Sequence, residues 1–201
     1  MISKKSIDLI IKHEIGGREV YTKKYEKPIW AGGESGITIG IGADLGYISD
    51  KQFMLDWSGV LNLNFIHALR PTLGVKGTQA KAMLKGEILN VRIPYNTAYE
   101  VFVKSSLPRY YAMTKKIYPN MDLLNDDTKG ALVSVVYNRG NKLEGDSRAE
   151  MRAIVDMIAT QDYEGIAEQI EKSKRLWEHK NLDGLVTRRE AEADLIRDSI
   201  C

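Results

Sequence analysis

The chain has 201 residues, of which 43% are hydrophobic and 28% are charged, a composition typical of a folded protein with a buried core. This balance argues against a disordered chain. Its 29 lysines and arginines stand against 27 aspartates and glutamates, a net charge of +2. So small an excess provides no large positive field for duplex nucleic acid, and we expect no nucleic-acid partner.

The cysteine content and the positions of the charged residues indicate in which cellular compartment the chain folds. Its one cysteine is Cys201, so no disulfide can form within the chain and packing alone must hold the fold. The first apolar stretch is interrupted by Asp8, Lys12 and Glu14, and is too short and too charged for a secretory signal. No stretch approaches the roughly 18 apolar residues of a membrane-spanning helix. We therefore expect a monomer that is made in the cytoplasm without a signal peptide, does not insert into a membrane, and reaches an outside target through another system.

The first predicted element is a short helix over residues 3–14. Ile7 and Ile10 recur there at helical spacing, and a pair of glycines after Ile15 ends the segment. Glu14 follows Ile10 by four residues. It therefore lies on the apolar stripe, at the C-terminal end of the helix.

The remaining elements change character near residue 48. Residues 18–48 predict short strands and tight turns, because β-branched and aromatic residues are separated there by glycines. Later segments predict helices, roughly over 50–69, 77–90, 95–117, 125–138, 147–159, 162–177 and 185–199. Trp57 and Trp177 have helical spacing and are expected in the core. The predicted fold class is α+β in one domain over 1–201, with a small mixed lobe (1–48) that holds a short β-sheet and a larger helical lobe (49–201).

Residues 32–46 carry the densest local signal, Gly-Gly-Glu-Ser-Gly-Ile-Thr-Ile-Gly-Ile-Gly-Ala-Asp-Leu-Gly. Alternation with glycine predicts a strand with one bare face, on which Thr38 and Asp44 lie on the same side as Gly40 and Gly42. Such a face could present a hydroxyl and a carboxylate to a sugar. The alternative is a bulged hairpin in which Asp44 caps the following turn. The segment lacks the Lys-Ser/Thr ending of a phosphate-binding loop, which argues against a nucleotide.

Together with a glutamate at the end of the first helix, this segment resembles the phage-type lysozymes. In the T-even phage lysozymes the catalytic aspartate precedes the threonine by six residues, a position that is Gly32 here. The pesticin-type muramidases and related prophage endolysins are more similar, because their aspartate follows the threonine by six residues, where Asp44 stands. Residues 131–140 and 184–192 also resemble segments of these enzymes. The resemblance implies a lysozyme-like fold and cleavage of the peptidoglycan glycan strand between N-acetylmuramic acid and N-acetylglucosamine.

Glycoside hydrolysis needs a proton donor and a second group that positions water or stabilises positive charge. We assign the first role to Glu14, because its apolar stripe and the negative end of the helix favour the protonated form. Asp44 with Thr38 takes the second role. The alternative for Glu14 is a helix-end carboxylate in a salt bridge, and for Thr38 an ordinary strand residue. Arg188 and Arg189 are candidate positive partners for Glu14, or residues of a solvated helix face.

Four further residues are candidates for binding the substrate. Trp30 flanks the glycine-rich segment and could stack on a sugar ring. Tyr137, Asn138 and Arg139 end a helix before Gly140, where hydrogen-bond donors could line a cleft, although a helix cap with a surface arginine explains them too. The three histidines have no metal-ligand spacing, so we predict neither a metal nor a cofactor.

Two other functions fit the same residues. A lytic transglycosylase uses one acid and no second carboxylate, and a non-catalytic lysozyme-like protein would only bind the cell wall. The origin of the chain as a phage endolysin, a prophage remnant or a secreted antibacterial effector stays open. For an enzyme, action on the wall in the periplasm after release or delivery is expected.

Overall fold

The computed structural model describes residues 1–200, so Cys201 lies outside the described residues. The chain is mostly helical with one small antiparallel sheet, which confirms the α+β class. It separates into two compact units: unit 1 comprises Met1–His13 and Arg109–Cys201, and unit 2 comprises Glu14–Pro108. The single catalytic domain over 1–201 stays a prediction. Within residues 1–200, no helix is long and apolar enough to cross a membrane.

Unit 2 contains the sheet and the shorter helices. Strands β1 (Ile29–Trp30), β2 (Ile37–Ile39) and β3 (Ala43–Asp44) pair antiparallel in the order β1-β2-β3. The helices are α2 (Arg18–Lys24), α3 (Asp50–Trp57), α4 (Leu63–Leu69), α5 (Gly77–Ala82) and α6 (Tyr95–Val101), with 3-10 turns at Leu45–Tyr47, Arg70–Thr72 and Gly86–Asn90. Ile37, Ile39 and Trp57 are buried, the last as predicted.

The structure corrects the strand prediction at its N-terminal edge, because residues 18–24 form helix α2. Gly17 has a φ of 88°, a conformation that favours glycine and separates α2 from the preceding helix. Glu19 in the first turn and Lys24 in the last suit the helix dipole. Tyr21 is fully buried, and its hydroxyl donates to the Ile93 carbonyl over 2.8 Å. This tertiary anchor, together with the glycine break, outweighs the β propensity of the segment.

Two predicted helices of unit 2 are interrupted. The helix expected over 50–69 is divided into α3 and α4, and Asn62 caps α4 by accepting a hydrogen bond from the Phe65 amide at 2.9 Å. The helix expected over 77–90 ends at Ala82 and resumes as a 3-10 turn at Gly86, whose φ is 62°. The 95–117 segment is helical throughout, with one π turn at Phe102–Ser106.

Unit 1 is built around a central helix. Its helices are α1 (Lys4–Ile15) and α7 (Leu107–Ile117), each with most of its length in this unit, α8 (Asp126–Arg139), α9 (Ala149–Ala159), α10 (Tyr163–Lys172) and α11 (Asp183–Arg197). Every residue of 130–136 in α8 is buried, which is typical of a helix surrounded by others. A Cβ on Gly130 would lie 1.8 Å from the Ser6 hydroxyl, so only glycine lets α1 and α8 approach this closely.

Candidate active site

Thr38 and Asp44 face each other across a hairpin. The residues paired between β2 and β3 are Thr38 with Asp44 and Ile39 with Ala43. Directly opposed residues of an antiparallel pair project to the same face, with Cβ atoms about 4.5–5.5 Å apart. The two side chains therefore share one face, through pairing across a turn and not through alternation along one strand.

Gly40 and Gly42 do not form the bare strand face expected from the sequence. Both lie in the turn between β2 and β3, with φ angles of 57° and 71°. A Cβ on Gly40 would lie 2.7 Å from the ring of Trp57, so this side of the backbone is covered by the core. The prediction of a bare strand face at these two glycines is wrong, because both lie in the tight turn and Gly40 also packs against the tryptophan.

The carboxylate of Asp44 is held through one of its two oxygens. Oδ1 accepts hydrogen bonds from the backbone amides of Gly36 and Gly46, both at 2.9 Å. The second of these bonds caps the 3-10 turn at Leu45–Tyr47, which is the alternative raised from the sequence. Within residues 1–200, Oδ2 accepts no hydrogen bond. The carboxylate is thus fixed in orientation, with one oxygen left for a water or a ligand.

This fixed orientation depends on a close approach of two backbone segments. A Cβ on Gly36 would lie 2.3 Å from the Gly46 nitrogen and 2.5 Å from Asp44 Oδ1. The Gly77 amide also donates to the Ser35 carbonyl over 2.9 Å, which ties the same loop to the start of α5. Only glycine at position 36 permits the loop to reach the carboxylate.

We expect Gly36→Ala to lower the free energy of unfolding by about 1–3 kcal/mol, because the added methyl group forces the loop away from Asp44 and breaks its hydrogen bonds. Urea unfolding followed by circular dichroism measures this loss. Gly59→Ala is the matched control, because a Cβ there has no heavy atom within 4 Å. Equal unfolding midpoints for the two variants would contradict the steric role of Gly36.

Thr38 and Glu14 also belong to unit 2. Thr38 is half-buried, and its hydroxyl makes no hydrogen bond within residues 1–200. Glu14 lies in the last turn of α1, half-buried, beside Ile11 and Ile15, which are each 3% exposed. The helix position predicted for Glu14 is therefore found. Its acid role stays a prediction.

Trp30 lies on the other face of the sheet. It pairs with Ile37, one residue out of phase with Thr38, so its side chain projects away from the Thr38 face. Its indole donates to the Ser35 carbonyl over 3.1 Å, and the Lys81 ammonium lies 5.2 Å from the ring centroid. The structure thus places Trp30 next to the glycine-rich loop but apart from the Thr38 and Asp44 side chains.

The other three substrate-binding candidates end helix α8 in unit 1. The ring of Tyr137 packs against Tyr110 with 4.2 Å between centroids. Asn138 is exposed, whereas Arg139 is only 9% exposed and donates to the Ser147 carbonyl. The surface arginine of the alternative interpretation is therefore absent at this position. Gly140 caps the helix with a φ of 73°.

Asn138 and Arg139 line an open pocket of about 420 Å³ in unit 1, together with Ser147, Arg148, Leu176, Trp177 and Leu185. Nη1 of Arg139 is buried and has no hydrogen-bond partner within residues 1–200. Burial, and then the charges of Arg148 and Arg189, lower the pKa of Arg139 to about 10. The pocket therefore joins apolar side chains to a positive wall and suits a ligand that carries polar or acidic groups.

Trp177 belongs to this pocket and not to the core. It is half-buried, and the guanidinium groups of Arg139 and Arg189 lie 5.1 and 5.7 Å from its ring centroid. Helical spacing suggested a core residue, but the helix ends at Lys172 and a 3-10 turn carries Trp177 to the pocket. The charged residues on both sides of Trp177 in the sequence are the pattern that would have indicated a partly exposed ring.

Unit 1 also contains a buried polar cluster around Glu192 of helix α11. Glu192 is fully buried, and its Oε1 accepts hydrogen bonds from Ser134 Oγ at 2.5 Å, Arg189 Nη2 at 2.8 Å and Arg188 Nε at 3.2 Å. The pKa of His13 is lowered to about 4, first by burial and then by the charge of Arg188. The predicted contact of either arginine with Glu14 stays a prediction.

The chain is similar to phage lysozymes in sequence and in fold. The model of the phage lysozyme family matches residues 56–192, which include the pocket of unit 1 but neither Glu14 nor the hairpin. The crystal structure of the active form of the P1 phage endolysin Lyz is similar in fold, with a TM-score of 0.58, 15% identity, and coverage of 100% of this chain and 86% of that chain. No curated protein sequence matches. Among residues 1–200, no group of three or more acidic, histidine or cysteine side chains could hold a metal ion.

Proposed function

The chain belongs to the phage lysozyme family, which makes it a glycoside hydrolase that degrades peptidoglycan, and we propose that it is a muramidase with Glu14 as its general acid. The bond cleaved is that between N-acetylmuramic acid and N-acetylglucosamine. Asp44 and Thr38 position the attacking water or stabilise the transition state. The carboxylate of Asp44, which is fixed through Oδ1 and shares a sheet face with Thr38, is the observation that supports this assignment most directly.

The reaction divides between the two carboxyl groups. Glu14 gives its proton to the glycosidic oxygen as the bond from that oxygen to the anomeric carbon breaks. A water forms the new bond to this carbon and passes a proton to the Asp44 carboxylate, while the Thr38 hydroxyl on the same sheet face binds the water. Because two backbone amides already bind Oδ1, the carboxylate does not have to reorganise when charge develops.

The remaining candidates would bind the glycan strand and its substituents. Asn138 and Arg139 are supported by their place in the wall of the unit 1 pocket, and Tyr137 by its position one residue earlier on α8. The support for Trp30 is weaker, because it projects from the opposite sheet face to Thr38. We therefore propose that Trp30 first shapes the glycine-rich loop, through its bond to Ser35.

Product masses test the hydrolase against the lytic transglycosylase. Purified cell wall digested to completion should release fragments that each contain the added water. Fragments lighter by one water, which indicate an anhydro ring, would exclude the hydrolase. No fragments at all would favour the third function, a lysozyme-like protein that binds the wall without cutting it.

We expect Asp44→Asn to lower the rate of wall digestion by about tenfold or more, because the amide removes the negative charge that Oδ2 offers to water or to the oxocarbenium ion. The amide oxygen can still accept from Gly36 and Gly46, so the unfolding midpoint should change little. Turbidity loss of permeabilised Gram-negative cells gives the rate. A fully active Asp44→Asn variant is the result that a transglycosylase predicts.

A further inference from the structure

A second pocket lies in unit 2, and its lining includes none of the residues to which the mechanism assigns a role. It has a volume of about 360 Å³, near the small end of the range of ligand pockets, and is lined by Asn64, Phe65, His67, Glu87 and Asn90. The first three residues lie on helix α4, and the last two on the 3-10 turn Gly86–Asn90. Two separate elements therefore build this pocket.

The polar side chains of the pocket are not used by the fold. Within residues 1–200, those of Asn64, His67, Glu87 and Asn90 form no hydrogen bond and no ion pair, and all four are exposed. Their amide, imidazole and carboxylate groups together offer both donors and acceptors. This capacity is free for a ligand that contacts several of them at once.

Phe65 supplies the apolar part of the lining. Its side chain is half-buried. Its backbone amide donates a hydrogen bond to the Asn62 side chain at 2.9 Å, which fixes the position of the Phe65 backbone at the start of α4. An aromatic surface beside several hydrogen-bonding groups is an arrangement that accepts a molecule with an apolar face and a polar edge.

The chemistry of the lining selects among classes of ligand. Among the described residues, no lysine or arginine lines the pocket, which disfavours phosphate and other anions. One carboxylate and one imidazole are too few to ligate a metal ion, and four polar residues of five disfavour a lipid chain. A neutral ring with several hydroxyl groups and apolar C–H bonds on one face fits both parts of the lining.

From these contacts we propose that this pocket binds one N-acetylhexosamine unit of the glycan strand as a second, non-catalytic sugar site. The identity of the sugar rests on the proposed function, because the polymer that the active site cuts is the source of such units. A second site on the same polymer raises the effective concentration of the strand near the catalytic residues. The pocket thereby holds the enzyme on an insoluble wall between cleavage events.

Amide NMR spectra of the full chain test this proposal, with N,N′-diacetylchitobiose as ligand. The Glu14→Gln chain is used so that no sugar is hydrolysed. We expect ligand-dependent shifts of the amides of residues 64–67 and 86–90, and their loss in Asn64→Ala/Asn90→Ala, whose altered side chains form no hydrogen bond within residues 1–200. Asn96→Ala, an exposed amide in the same unit, is the matched control and should retain the shifts.

Three results would overturn the proposal: no shift at these amides, shifts that persist unchanged in the double variant, or equal shifts with inorganic phosphate. In the chain with Glu14 intact, the double variant should lower the rate of digestion of insoluble wall by at least about threefold relative to Asn96→Ala. Failure of the proposed muramidase activity is distinguishable, because it would appear as lysis that does not depend on Glu14 while the sugar shifts remain.

Discussion

Glu14→Gln is expected to lower the rate of cell-wall lysis by at least about a hundredfold, the usual scale for loss of a general acid. Glutamine preserves the size and the hydrogen-bonding shape of the side chain, but its amide cannot give a proton to the departing sugar oxygen. Because Glu14 is half-buried in the last turn of α1, the stability of the variant is measured beside its activity. Turbidity loss of permeabilised cells and urea unfolding measure the two quantities.

The control for Glu14→Gln is Glu19→Gln. Glu19 is exposed in the first turn of α2 and belongs to the same unit, so this variant changes the net charge of the chain by the same amount. It should lyse cells at nearly the parental rate. If Glu14→Gln were equally active, another group would have to protonate the leaving oxygen and the proposed division of roles would be wrong.

The hairpin shows what the local sequence can predict about this site. Thr38, Asp44 and the glycines around them identify the segment, but the face that the two side chains share comes from pairing across the turn and not from the predicted alternation along one strand. The hydrogen bonds of Asp44 could not be predicted from the local spacing, because Gly36 approaches Gly46 only after the turn at Gly40 and Gly42 reverses the chain. Local spacing thus identified the residues, and tertiary proximity determined which oxygen of Asp44 stays open.

Features that depend on distant residues were not predictable in this way. Residues 18–24 have β propensity, yet they form helix α2. The Tyr21 hydroxyl of this helix donates a hydrogen bond to the carbonyl of Ile93, 72 residues later. Trp177 has helical spacing, but its position follows from the end of α10 and from Arg139 and Arg189, which flank its ring. Periodicity indicates which side of a regular element is apolar. It predicts neither the helix at residues 18–24 nor the position of Trp177.

The largest expected effect on stability comes from Glu192→Gln. We expect a loss of about 3 kcal/mol in the free energy of unfolding, because the variant leaves the guanidinium groups of Arg188 and Arg189 buried beside a neutral amide. Glu192 and Arg189 have no exposed surface, and Arg188 is 2% exposed, so water cannot replace the lost charge. Urea unfolding, with the midpoint and slope fitted separately, measures the effect.

Glu190→Gln is the control that separates the effect of burial on stability from the effect of charge alone. Glu190 and Glu192 both lie on α11, and each pairs with a cationic side chain. Glu190 pairs with Lys174 at 3.0 Å, but its side chain is 44% exposed, and a pair of this kind contributes at most about 1 kcal/mol. The ratio of the two losses therefore measures what desolvation adds to the interaction at Glu192. Similar losses in the two variants would contradict this account, since they would mean that the buried arginines do not depend on the carboxylate for their charge compensation.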